Sequence, residues 1–200
     1  MTKLFLFDLG KVLVDFDFTL AIKRLQKVYP IQTTRVIALF MNSGLSEDWD
    51  RGAISPEEFY SIMQKSLKLP MSLAEFVPYW NDIFTENVEM AALLEKLKVH
   101  YRLAALSNTN VWHVAHLKAT YPWIAHFDPL IASCEVRLLK PEPEIYQYAL
   151  RVTQTVPQDI LYIDDLAANV KAAAKLGIDA IQFKTYEKLI LELEERNIQI

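Results

Sequence analysis

Two hundred residues suit one domain of ordinary size, or a core domain with an insert, and are enough to bury a sizeable core. The chain is 52% hydrophobic and 23% charged, the profile of a soluble globular protein, and its net charge of −4 with no basic run argues against nucleic acid as a partner. Cys134 is the sole cysteine, so no intrachain disulfide can form, and no apolar run approaches the ~20 residues needed to span a bilayer; a cytoplasmic protein with no membrane partner is the expectation.

The chain opens on Leu4-Phe5-Leu6-Phe7, an apolar run that reads as a buried strand ending at Asp8. From Asp17 to about Phe84 helical periodicity dominates and no strand is expected. Asp17 can cap a helix beginning at Phe18, and Ser55-Pro56-Glu57-Glu58 and Ser72-Leu73-Ala74-Glu75 are capping boxes. We read residues 17–84 as a helical-bundle cap inserted into a core made of residues 1–16 and 85–200. The segments 10–15 and 84–88 would connect the two and could hinge. Strands are then expected over 102–106, 129–132, 160–163 and 179–183, alternating with helices over 111–120, 142–153, 167–176 and 185–196. Gly177 is a good stop for the third of these helices. The near-continuous apolar strands predict an α/β fold, a parallel sheet with helices on both faces.

Four polar motifs follow apolar strands or short loops: Asp8 with Leu9-Gly10, Ser107-Asn108, Lys140-Pro141, and Asp164-Asp165. In an open parallel sheet ligands bind beyond the carboxyl ends of the strands. Asp8 is placed there to attack phosphorus, splitting one difficult displacement into two. The neighbouring acids Asp164 and Asp165 repel each other, and a Mg²⁺ ion would relieve that repulsion. Asp8, Asp165 and the Gly10 backbone carbonyl are the expected metal ligands, with Asp164 and Asn169 orienting them from behind. Ser107 and Asn108 offer a hydroxyl and backbone N–H groups to phosphate. Lys140 can neutralise both the attacking carboxylate and the phosphate, which makes it catalytic and phosphate-binding at once. Each motif alone has a plainer reading: an Asp ending a strand, a helix cap, a solvated lysine, an exposed acidic turn. His113 and His116 lack an acidic neighbour in sequence, and Trp112, Trp123, Tyr146 and Tyr148 read as packing residues.

The ordered set Phe7-Asp8-Leu9-Gly10, Leu106-Ser107-Asn108-Thr109-Asn110, Lys140-Pro141 and Ile163-Asp164-Asp165 with Asn169 resembles the haloacid dehalogenase-like hydrolase superfamily over essentially the whole chain. The resemblance implies a Rossmann-like core, a helical cap, Mg²⁺ as cofactor and hydrolysis of phosphate esters through an aspartyl-phosphate on Asp8. It is closest to a sugar-phosphatase subgroup, which implies a small phosphorylated metabolite as partner, such as glucose 1-phosphate.

One departure matters. Most phosphatases of this superfamily carry Asp two residues after the nucleophile as general acid and base, and here that position is Gly10. A general acid contributes ~10²–10⁴-fold, so its loss can slow an enzyme without abolishing catalysis. Lys11, Asp15, Asp17 or a water are candidate substitutes. The alternative is a non-catalytic phosphometabolite-binding or regulatory protein on the same scaffold. Carbon–halogen hydrolysis needs no metal, so the acid pair argues against it. A receiver domain shares these groups but in another chain order. For specificity, the loop from Leu45 to Arg51 is the expected substrate-facing edge, with Trp49 stacking on a sugar and Asp50 or Arg51 bonding its hydroxyls.

Overall fold

The computed structural model describes residues 2–42 and 44–200. In chain order it runs β1 (Leu4–Phe7), β2 (Val14–Phe16), then five helices, α1 (Phe18–Val28), α2 (Thr33–Asn42), α3 (Leu45–Asp50), α4 (Pro56–Leu67) and α5 (Leu73–Asn81), then β3 (Phe84–Glu86). The rest alternates: α6 (Val88–Leu97), β4 (Arg102–Ser107), α7 (Val111–Thr120), β5 (Leu130–Ala132), α8 (Ser133–Val136), α9 (Pro143–Thr153), β6 (Ile160–Asp164), α10 (Ala167–Lys175), β7 (Asp179–Gln182) and α11 (Tyr186–Glu195).

Five strands form one parallel sheet in the order β5-β4-β1-β6-β7. Every residue of β1 is fully buried, because helices cover both faces. Successive side chains of a strand point to opposite faces. Phe5 and Phe7 therefore pack with Leu93 and Leu97 of α6 and with Leu189 and Leu193 of α11. Leu4 and Leu6 pack with Ile145, Tyr146 and Ala149 of α9 and with Ala173 of α10. The α/β architecture expected from the apolar runs is the one observed.

Strand order reverses about β1, whose neighbours are β4 and β6. Phe7 sits opposite Ala105 on one side and Ile163 on the other. This register brings the carboxyl ends of the three strands together. Asp8, Ser107 and Asp164 are therefore neighbours at one edge, in the crevice such a reversal creates.

Helices α1 to α5 enclose an apolar cluster of their own, which includes Leu25, Trp49, Phe59, Met63, Phe76 and Trp80. Trp112 of α7 packs against it from the sheet side. Both expected capping boxes form reciprocally, Ser55 with Glu58 and Ser72 with Glu75. Asp17 caps α1, accepting from the Thr19 N–H at 2.8 Å.

The structure adds a feature where only connecting segments are expected. β2 and β3 pair antiparallel as a two-stranded ribbon, Val14 opposite Glu86 and Phe16 opposite Phe84. Three residues per strand are too few for alternation to announce a ribbon, and in β3 no side chain is fully buried. The ribbon lies where the helical segment leaves the sheet and returns to it. Among the described residues, no helix is long and apolar enough to cross a membrane.

Candidate active site

Asp8 leaves β1 with its backbone N–H still donating to Ile163, so the strand geometry fixes the side chain. Its Oδ1 accepts from the Leu9 N–H at 2.7 Å and lies 2.9 Å from Lys140 Nζ. Both contacts fall on one oxygen, and no contact of the described residues engages the other. Burial pushes the Asp8 carboxyl up to about 6, with the Asp164 charge adding to the rise and Lys140 opposing it.

Lys140 is the fixed cation of the site. Its side chain is 1% exposed and lies 2.7 Å from Asp164 Oδ2 as well as 2.9 Å from Asp8. Burial lowers an ammonium's pKa, but the two carboxylates outweigh that and hold it above its ordinary value. Asn108 sets the loop that carries it. Its amide donates to the Lys140 carbonyl at 2.9 Å and accepts from the Lys140 N–H at 2.8 Å. The Asn108 side chain is thus occupied with positioning Lys140, which leaves the backbone N–H, the group expected on phosphate, for an anion. Ser107 is buried at the tip of β4, and its hydroxyl makes no hydrogen bond among the described residues.

The acid pair divides by environment. Asp164 is fully buried and saturated. It accepts from Lys140, from Tyr162 at 2.5 Å, from the Leu166 N–H at 2.8 Å and from Asn169 at 3.0 Å. Burial would raise it, but Lys140 and these donors hold it below the ordinary carboxylate range. Asp165 is half-buried, and its carboxylate has no side-chain partner among the described residues. Burial, reinforced by Asp164, pushes it upward. Asn169, expected behind the metal, is buried on α10 and bonds Asp164 rather than Asp165.

Asp8, Asp164 and Asp165 each present a carboxylate oxygen within 4.8 Å of the others. One lysine faces these three acids, so negative charge is in excess. Burial and the Asp164 charge displace Asp8 and Asp165 upward. Oxygen donors of this kind suit a hard divalent ion such as Mg²⁺. No hydrogen bond among the described residues occupies the Gly10 carbonyl.

Gly10 itself is explained by its neighbour. A Cβ there would lie 2.9 Å from the ring edge of Phe16, so the aromatic ring of β2 takes the room that an aspartate side chain would need. The candidate substitutes are engaged elsewhere. Asp17 is an exposed helix cap. Asp15 is exposed and lies 3.3 Å from Lys11, whose ammonium also donates to the Phe16 carbonyl at 3.0 Å.

The expected substrate edge needs correction. Trp49 is 2% exposed and stacks on Phe59 with ring centroids 4.5 Å apart, so it packs the bundle as well as lining the cavity that Asp50 lines. Arg51 is held by both oxygens of Glu142, at 3.0 and 2.5 Å, and by Glu47 at 2.9 Å, so it ties α3 to the start of α9 and is not free for a sugar. Asp50 does line a cavity of about 480 Å³ between the sheet edge and helices α1 to α5. Gly10, Ser107 and Asn108 stand on that cavity's floor, and Phe18, Trp80 and His113 on its wall.

Sequence reasoning missed the polar cluster beside the floor. Asn110 caps α7, accepting from the His113 N–H at 3.1 Å, and its amide reaches Asp50 at 3.3 Å and His113 Nδ1 at 3.0 Å. Burial pushes the Asp50 carboxyl up to about 6 and the His113 imidazole down to about 3. Ser133 donates to the Asp50 carbonyl at 2.5 Å, and Cys134's carbonyl would lie 2.3 Å from any Cβ at Gly52, so the bundle sits directly against α8. Asp50's partners Asn110 and Ser133 lie 60 and 83 positions away in the chain, and no local pattern announces them. Trp112, Tyr146 and Tyr148 are packing residues as expected.

The family model described as haloacid dehalogenase-like hydrolase matches residues 2–177. D-ribitol-5-phosphate phosphatase of Bacteroides thetaiotaomicron is 24% identical over 189 residues, covering 91% of this chain and 92% of that protein. Sesquiterpene phosphatase astK of Aspergillus oryzae is 26% identical over 199 residues, covering 95% and 94%. Other curated relatives are longer, and the chain spans as little as 13% of their length. Among solved structures, a family enzyme of Bacteroides thetaiotaomicron in complex with magnesium and inorganic phosphate superposes with a TM-score of 0.84 at 26% identity, over 94% of this chain and 99% of that one. With a match that spans nearly the whole chain and a reversed parallel sheet carrying Asp8, Lys140 and Asp164 at one edge, the chain belongs to the haloacid dehalogenase-like hydrolase family.

Proposed function

We propose that this hydrolase is a Mg²⁺-dependent phosphoric monoester hydrolase acting on a small phosphorylated metabolite. The observation that carries the reading is the Asp8–Lys140–Asp164 array, with the Asp165 carboxylate beside it and no side-chain partner on it among the described residues. Asp8 attacks phosphorus with the carboxylate oxygen that Leu9 and Lys140 leave free. The bond from phosphorus to the ester oxygen breaks, and the alcohol leaves with that electron pair and takes a proton from water. A water then attacks the phosphorus of the aspartyl-phosphate, which releases inorganic phosphate and restores Asp8. Lys140 holds the attacking carboxylate ionised and meets charge developing on the phosphoryl oxygens. Ser107 and the N–H of Asn108 orient that group from the β4 tip. A Mg²⁺ ion held by Asp8, Asp165 and the Gly10 carbonyl would add charge neutralisation, with Asp164 and Asn169 fixing the acid loop behind it. The relative solved with magnesium and phosphate supports the choice of ion.

Residues 17–84 form the cap in this reading, with the β2–β3 ribbon as its attachment. The finer expectation, a sugar phosphate such as glucose 1-phosphate, has support from the relative named for ribitol 5-phosphate. The relative named as a sesquiterpene phosphatase supports a wider range of alcohols. The alternative, a phosphometabolite-binding protein without turnover, is motivated by Gly10 alone. A phosphate-release screen over sugar phosphates, nucleotides and acetyl phosphate, with and without Mg²⁺, separates the two. Release that needs Mg²⁺ is expected; uniformly flat activity would leave the binding protein.

A further inference from the structure

We propose that the alcohol released by this enzyme is a hydrophobic one, a hydrocarbon body that fills the cavity above the phosphate floor. The inference rests on the phosphatase reading and names its substrate class.

The cavity is continuous with the reaction site, because Gly10, Ser107 and Asn108 belong to its lining. Anything esterified to a phosphate on that floor must project into it. The facing wall is carbon: Phe18, Ile22, Leu25, Val36, Phe40 and Trp80 all line it. The polar groups of the lining are fewer, and two are engaged in part: Asn110 reaches one oxygen of Asp50 and Nδ1 of His113. Among the described residues the indole N–H groups of Trp49 and Trp80 and Nε2 of His113 make no hydrogen bond; they can serve two or three oxygens but not every hydroxyl of a sugar set against a carbon wall. A buried hydroxyl without a partner disfavours binding, whereas each apolar carbon withdrawn from water favours it. Size agrees as well. An apolar cavity of about 150 Å³ takes benzene, so one of about 480 Å³ has room for roughly twenty non-hydrogen atoms, the phosphoryl group included. Large apolar side chains are also left at the surface along this lining, Phe18 at 41% and Ile37 at 53% exposure. An exposed apolar rim of this kind marks a ligand entrance.

The test is kcat/KM for Mg²⁺-dependent phosphate release from acetyl phosphate, from sugar phosphates and from n-alkyl monophosphates of rising length, with Asp8→Asn as the blank. We expect kcat/KM to rise about threefold for each added methylene and to level off once the cavity is full. Phe18→Asn should lower kcat/KM for the longest alkyl phosphates at least tenfold more than it lowers that for acetyl phosphate. A flat alkyl series, or sugar phosphates preferred over all alkyl phosphates, would overturn the hydrophobic class and leave the phosphatase reading in place. No release from any compound would overturn both. The wild-type series decides the matter even where Phe18→Asn fails to fold.

Discussion

Asp50 makes the protein's stability depend on pH. Burial beside Asn110 raises its carboxyl from the ordinary 3.8 to about 6, so the folded chain keeps a proton that the unfolded chain releases between those values. Stability contributed by that proton is full below about pH 4 and is lost as pH climbs towards 6. Asp50→Asn removes the ionisation and keeps an amide that can meet Asn110. The variant should therefore exceed the wild type by about 3 kcal/mol well above pH 6 and match it near pH 4, as read by urea melts at both values. Equal stability at the higher pH would show that the carboxylate is solvated. Asp50 also marks how far the sequence could be read at this scale. The loop 45–51 was legible as facing the site, but not which of its side chains would do so. Arg51 turns to Glu142, 91 positions away, and such a long-range partner leaves no local trace. Asp8, Lys140 and Asp164 were legible because each follows an apolar strand or a loop whose end must lie at the sheet's edge.

At the level of elements, the β2–β3 ribbon explains the missing general acid better than Gly10 does alone. Phe16, paired opposite Phe84, lays its ring where a side chain at position 10 would go. Gly10→Asp should cost about 1–3 kcal/mol through crowding, without raising phosphate release. Adding Phe16→Ala should relieve the crowding, so the double variant loses less stability than the sum of the singles in a double-mutant cycle. Strict additivity would mean that ring and position 10 do not meet. The helices of the insert were readable from their capping boxes and periodicity, since those signals are local. The ribbon was not, because three-residue strands carry too little alternation. The strands of the main sheet were readable because burial on both faces demands continuous apolar runs.

For the molecule as a whole, an excess of buried negative charge sits at the point where sheet and helical segment meet. A divalent ion bound there should stabilise the fold, since it binds the native array and not the unfolded chain. At a Mg²⁺ concentration a hundred times its dissociation constant, the gain is about 2.7 kcal/mol, or roughly 5–10 °C in Tm for a chain of this size. Thermal melts with Mg²⁺ and with EDTA read it, and Asp165→Asn should remove most of the shift. A shift that survives this substitution unchanged would put the ion elsewhere.

The central claim is that Asp8 takes the phosphoryl group, and the rate of Mg²⁺-dependent phosphate release by Asp8→Asn against wild type tests it most directly. The account predicts loss of turnover by at least about 10³-fold with a cooperative melt retained, since the amide keeps the shape but cannot act as the nucleophile. Phosphate release by the folded Asp8→Asn protein at a rate near that of wild type would contradict it.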